Sequence, residues 1–262
     1  MKLSDTFLPS AGVVGLLPMV TYFMLVVAMY AFLATFLFTS MTRSTVRSEY
    51  RISYVISAMM SAVMGFSYFL IQSAYQDVLA ELTTLTDAGN RQVLIRESYN
   101  LLSSFRYMGW AVTVPLLLLQ TTFVTNRAVK ETRKPLTIML LASVFMILAS
   151  YIGVQQLGFD HEIQTGPKLI WGVLSLIGYV VVGTSLRRGW THIVGSATSE
   201  AQWAYRLMAS SIVTVLGIYQ VGYWLTLLPI DFNWIQIVVS IADLVGIIGA
   251  TLVLYWIARK EA

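Results

Sequence analysis

Seven separate stretches of this chain are long and apolar enough to cross a lipid bilayer, and nothing else in the sequence restricts its fold so tightly. A spanning helix needs about 20 largely apolar residues, because each backbone N–H and C=O must be satisfied within the segment once water is excluded. Such stretches fall near 12–38, 52–76, 99–125, 135–157, 167–186, 207–229 and 234–258. With 57% hydrophobic and 11% charged residues, the chain has too little polar surface to cover a water-soluble globule of this size. The expectation is an all-α membrane protein: a single seven-helix transmembrane domain over residues 1–262, with the lipid bilayer as its surroundings. The first stretch lacks the basic, apolar and small-residue series of a cleavable leader and is taken as the first span.

Seven spans put the termini on opposite sides. Arg43, Arg47 and Arg51 follow the first span; Arg127, Lys130, Arg133 and Lys134 follow the third; Arg187, Arg188 and Arg206 flank the fifth and sixth; Arg259 and Lys260 follow the seventh. The other loops carry Asp77, Glu81, Asp87, Glu97, Asp160, Glu162 and Asp231 against Arg91, Arg96 and Lys168. The positive-inside rule then places the N-terminus outside and the C-terminus in the cytoplasm. The basic residues sit in short loops and form no stripe or recognition module, which argues against a nucleic-acid partner. The chain has no cysteine, and His161 and His192 lie outside the apolar stretches, so no metal site is expected. No nucleophile–base pair or phosphate-binding loop marks an enzyme; no catalytic residue is assigned. The connection over 77–98, with the turn signal Asp87-Ala88-Gly89-Asn90, reads as an external hairpin or short helix.

Only two ionisable residues remain inside the spans, Arg106 in the third and Asp243 in the seventh. Charges in a bilayer are costly enough to mark a functional site or a structural ion pair, and at compatible depths these two are each other's natural partner, directly or through water. Arg106, Trp110, Thr113 and Gln120 recur at helical spacing on one face, which should look into the bundle. Pro115 interrupts the same span.

The run Arg106-Tyr107-Met108-Gly109-Trp110-Ala111-Val112-Thr113-Val114-Pro115 resembles the third-helix signature of the microbial rhodopsins, most closely the proteorhodopsin and xanthorhodopsin branch. In that signature an aspartate stands where this chain has Gly109. The second span, with Gly65-Phe66-Ser67-Tyr68-Phe69, is similar to the branch's second helix, whose histidine is here Ser67. Trp171-Gly172 with Ser175 resembles the fifth helix. Gly217-Ile218-Tyr219-Gln220-Val221-Gly222-Tyr223 resembles the sixth, with Leu216 and Gln220 in place of a tryptophan and a proline. Ser240-Ile241-Ala242-Asp243-Leu244-Val245-Gly246-Ile247 resembles the seventh, where the retinal-bearing lysine stands four residues after the aspartate. That position is Ile247.

The resemblance implies a seven-helix bundle of the microbial rhodopsin type in a bacterial cytoplasmic membrane. It also implies a chemistry that this chain lacks the parts for. The family's retinal is joined to lysine as a protonated Schiff base, and a nearby carboxylate accepts its proton. The five lysines here, Lys2, Lys130, Lys134, Lys168 and Lys260, lie in loops, at ends or at a helix boundary. Without a Schiff-base cation, an aspartate at 109 would be a buried charge short of a partner, a liability that glycine removes. Gln120 stands where pumping relatives carry a proton-donating carboxylate, and neither it nor Ser67 titrates near neutrality.

No covalent cofactor and no light-driven proton pumping are therefore expected. Gly109, Trp110, Thr113, Trp171, Leu216, Tyr219, Tyr223, Asp243 and Ile247 are read as a degenerate retinal pocket, and Ser67, Gly109 and Gln120 as lost proton-transfer positions. Two fates are open for the interior. Ile247, Met108 or Met64 fills it, or it admits retinal, another retinoid, a carotenoid or a lipid tail without a covalent bond. The expected function is an interaction or regulatory subunit, forming a homo-oligomer or a hetero-oligomer with a lysine-bearing rhodopsin; the alternative is a non-covalent retinoid or carotenoid sensor or carrier.

Overall fold

The structure, a computed structural model, describes residues 9–124, 129–158, 162–193 and 198–259, apart from the side chains of 129–133 and 192–193. Lys2, Arg127, Asp160, His161 and Lys260 lie outside the described residues. After a single helical turn, Ala11–Val14, come α1 (Leu16–Met41), α2 (Arg51–Leu82), α3 (Ala88–Phe123), α4 (Val129–Val154), α5 (Thr165–Ile193) and α6 (Ser199–Leu225). The last, α7 (Phe232–Ala258), runs as Phe232–Asp243, a π-helical turn Leu244–Ile248, and Gly249–Ala258. Among the described residues seven helices are long and apolar enough to cross a membrane.

Hydropathy located the part of each helix suited to hydrocarbon but not its ends. The helices α2 and α3 run on to Leu82 and start at Ala88, so the segment read as a hairpin or short helix is a tight turn between two extended helices. The turn signal itself is where α3 begins. The Asp87 carboxylate accepts a hydrogen bond from the Asn90 N–H at 2.9 Å and caps α3. Val78, Leu79 and Leu82 keep a buried helical stripe beyond the apolar run, which is why α2 continues. Thr198 and Asp231 cap α6 and α7 in the same manner. The sixth stretch, expected over 207–229, lies earlier in the chain because Thr198 starts the helix and the chain turns after Leu225, ahead of Pro229.

Consecutive helices pack side by side, and α1 also packs on α7, so the seven close into a ring. The α3 helix is the central element, touching α2, α4, α6 and α7. Two arginines that sequence reading had assigned only to loops pin the closure. Arg91 donates to the carbonyls of Val13, Val14, Leu82 and Leu85, tying the N-terminal turn to the end of α2. Arg47 donates through its guanidinium to the Ile257 carbonyl and through its backbone N–H to the Ala258 carbonyl at 2.8 Å, capping α7 from the α1–α2 loop. The outside of the ring is covered with large apolar side chains such as Phe23, Phe66, Leu141, Ile170 and Val221, while most of the polar groups inside the spans turn inward. That inversion of a soluble protein's surface is what a bilayer requires. The chain is an integral, multi-pass membrane protein.

Candidate functional site

The single π turn of α7 follows Asp243 directly, and π turns of this kind often accompany functional groups. Asp243 is fully buried and faces Arg106, itself 2% exposed. Arg106 Nε lies 3.5 Å from Asp243 Oδ2, a direct ion pair. The pair does not stand alone. Asp243 Oδ2 accepts from the Tyr68 hydroxyl at 2.6 Å, and Oδ1 accepts from Trp110 Nε1 at 2.7 Å and from the Tyr219 hydroxyl. The guanidinium donates to Gln236 Oε1 and, at 3.1 Å, to Ser240 Oγ, and lies 5.4 Å from the centroid of the Tyr68 ring. Four helices, α2, α3, α6 and α7, thus converge on one carboxylate, with donors on both its oxygens. In a low-dielectric interior, donors on both carboxylate oxygens help a charge pair persist.

Towards the C-terminal side of this cluster the Trp110 and Tyr219 rings stack, with centroids 3.9 Å apart and planes inclined by 17°. Beyond the stack is a void of about 10 Å³ lined by Trp110, Thr113, Leu216, Tyr219 and Ile247 with Val114, Leu117 and Gly246. That is room for one water at most, against several hundred Å³ for a typical small-molecule pocket. Of the side chains weighed as fillers, Ile247 lines the void and Met64 is fully buried beside Thr113 and Gly109. Met108 is not one of them: it is 58% exposed on the outer face of α3.

The other sequence-selected residues separate into distinct places. Gly109 does not widen the interior. A Cβ there would meet Ser67 Oγ at 2.6 Å and Met64 Sδ at 3.1 Å, so the space that glycine leaves opens between α2 and α3, on the outer surface beside Ser67. Gln120 sits further along α3, donating to Ser57 Oγ at 2.5 Å and the Ser53 carbonyl at 3.2 Å. Tyr223, read as part of the pocket, donates to the Lys168 carbonyl at 2.5 Å. With Trp171 it packs where α4, α5 and α6 meet, against Gly153 and Gly172, away from the void. Lys168, assigned with the loop charges, is buried in the first turn of α5, its Nζ 6.0 Å from the centroid of the Tyr223 ring. Hydropathy alone does not reveal such a burial.

Sequence reading missed Tyr68, Gln236 and Ser240 as members of the cluster. Gln236 and Ser240 lie seven and three residues before Asp243, on the same helical face, a signal that was present in the spacing. Tyr68 carried no such signal among the aromatics of its span.

A ring of seven spans around a seventh-helix aspartate paired with a third-helix arginine defines a seven-helix protein of the rhodopsin type. The chain belongs to the bacteriorhodopsin-like protein family, whose sequence model matches residues 18–258. It is 26% identical over 161 residues to the green-light absorbing proteorhodopsin of Gamma-proteobacterium EBAC31A08, a match covering 60% of this chain and 62% of that protein. The aligned region therefore spans less than two thirds of that relative's length. Among solved structures, Exiguobacterium sibiricum rhodopsin is similar with a TM-score of 0.78 at 22% identity, covering 93% of this chain and 97% of that one. A thermophilic rhodopsin has a TM-score of 0.75 at 25% identity, with 93% and 94% covered. Xanthorhodopsin, described as a light-driven ion pump with dual chromophore, has a TM-score of 0.73 at 22% identity, with 92% of each chain covered.

The fold family implies retinal held by a lysine, and the residues present do not fit it. The position four residues after Asp243 is Ile247, a side chain without an amine, and α7 contains no lysine. Lys168 Nζ lies at the start of α5, 6.0 Å from the centroid of the Tyr223 ring. The void beside the stack and Ile247, about 10 Å³, is far smaller than a polyene.

Proposed function

We propose that this is a rhodopsin-like membrane protein of a bacterial cytoplasmic membrane, without covalent retinal and without light-driven proton pumping. It acts as an interaction or regulatory subunit that assembles with itself or with a lysine-bearing rhodopsin. The observation that carries the reading is Ile247 buried against the closed Trp110–Tyr219 stack, where the chemistry of the family would need an amine and a slot. Support also comes from what is kept: a buried carboxylate reached by Arg106 and by donors from three other helices ties the scaffold together. Gly109 and Gln120 fit the same reading, since neither side chain exchanges a proton. The competing reading, a retinoid or carotenoid sensor, needs an interior that opens well beyond a one-water void.

The test is direct. After incubation with all-trans-retinal, the purified protein is expected to show no shifted absorption band, and illuminated proteoliposomes no proton flux. Co-expressed with a lysine-bearing rhodopsin from the same cell, it is expected to co-purify with that rhodopsin or with itself. A stable pigment or a light-driven pH change would overturn the proposal, as would a protein that purifies alone and monomeric.

A further inference from the structure

Midway along the membrane the outer surface carries a groove of about 450 Å³ between α2 and α3, lined by Ala62, Phe66 and Ser67 on one side and Phe105, Met108 and Gly109 on the other. Its level is fixed by its neighbours. Ser67 is close to the midpoint of α2, and the next residue, Tyr68, donates to Asp243 near the midpoint of α7. The volume falls in the range of small-molecule sites, about 300–1,000 Å³. Phe66 is 62% exposed and Met108 58%, so the rims meet lipid while the floor is recessed.

The walls are apolar apart from the Ser67 hydroxyl. That residue is 7% exposed, and its hydroxyl has no hydrogen-bond partner among the described residues. Most other hydroxyls of the spans bond to a carbonyl one turn back or to a neighbouring helix. An unmet hydroxyl facing hydrocarbon is costly, because no water is there to satisfy it. Gly109 is what uncovers it: a Cβ there would stand 2.6 Å from Ser67 Oγ, so a larger residue would cover the one polar group of the groove. Together the two residues make a floor that offers a single hydrogen bond at a depth where the bilayer itself supplies no partner.

We infer that the α2–α3 groove binds the ring of an isoprenoid quinone, with a ring carbonyl accepting a hydrogen bond from the Ser67 hydroxyl. Depth and polarity select this class. An occupant at this level carries no charged head group, since the cost of bringing a charge to the bilayer centre holds such groups at the surface. A phospholipid therefore brings only its tails here, and these have no oxygen to offer. A quinone ring is flat, uncharged and largely apolar, its carbonyls only accept, and its isoprenoid tail runs on into the lipid. It places an acceptor against the one donor of the floor, while Phe66, Phe105 and Met108 cover its faces and edges. The site lies on the outside of the bundle, separate from the Arg106–Asp243 cluster, so the inference goes beyond the subunit reading and does not rest on it.

The test illuminates the full chain in phospholipid nanodiscs with decylubiquinone bearing a ring azide and maps the adducts by mass spectrometry. Adducts are expected within residues 62–70 or 105–109, and unmodified decylubiquinone is expected to compete them away. Phenyldecane, which has the tail and a ring but no carbonyl, is expected to compete at least about tenfold more weakly. Ala62→Phe, which fills the groove, should lower labelling at least about tenfold. Ser67→Ala, which keeps the groove and removes the donor, should raise the half-saturating concentration by about tenfold, the equivalent of one hydrogen bond. The serine variant changes so little volume that it reads the site even if Ala62→Phe does not fold. Adducts elsewhere on the chain, or labelling unmoved by Ser67→Ala, would overturn the inference. So would equal competition by phenyldecane, which means that any apolar chain fits, or by retinal, which means that the groove does not select a quinone.

Discussion

At the residue scale, the consequential side chain is Asp243, because Arg106, Tyr68, Trp110 and Tyr219 all reach it. Its replacement by asparagine leaves the Arg106 guanidinium as a buried cation without a counter-charge. Breaking a buried pair from one side costs about 3–5 kcal/mol, so Asp243→Asn is expected to lower the melting temperature in detergent markedly. Tyr68→Phe removes one of three hydrogen bonds to the carboxylate and should cost less, about 1.5–3 kcal/mol for a bond to a charged group. Equal stability of Asp243→Asn and the unmodified protein would refute the role given to the pair. Ile247 makes the complementary case. Ile247→Lys restores an amine at the family's position, yet retinal is expected to form no pigment with it, since the Trp110–Tyr219 stack still closes the interior. A visible absorption band from that single variant would show that the lysine alone was missing.

At the element scale, the helices are held by close backbone approaches as much as by the cluster. Gly172 lies under Tyr223 and Trp224, where a Cβ would stand 2.6 Å and 2.8 Å from ring atoms, and Gly153 lies 2.9 Å, by the same construction, from Trp171 Cβ. Gly153→Ala is therefore expected to force α4 and α5 apart and to cost about 1–3 kcal/mol, read as a lower melting temperature. Gly183, whose Cβ would meet nothing within 4 Å, provides the control: Gly183→Ala should leave stability the same or raise it slightly by improving helix propensity. A similar loss at both positions would mean that packing at Gly153 has no special part in the bundle.

At the scale of the whole molecule, the bundle has the ring of helices of its family around a buried Arg106–Asp243 pair, and the void beside that pair is about 10 Å³. A scaffold of this kind has surfaces left with which to act. Its outer face is apolar, and its interior holds a charge pair reached from four helices. Hence the measurements that matter most at this scale are assembly state and partner capture rather than turnover.

The spans, the pairing of Arg106 with Asp243 and the absence of an amine at position 247 were legible in the sequence. Each follows from local or pairwise rules: hydrocarbon accepts only long apolar helices, and two charges buried among them need one another. The spacing also put Gln236 and Ser240 on the face of Asp243, although nothing local said that the guanidinium would reach them. What tertiary structure alone decided is direction. Whether Gly109 faces inward or toward Ser67, whether Tyr223 lines the void or bonds to the Lys168 carbonyl, and whether Met108 fills the interior or meets lipid depend on helix rotation and tilt. Those are set by contacts between helices far apart in the chain, and in a bundle apolar on its lipid face as well as within, hydrophobicity does not reveal which way a side chain points.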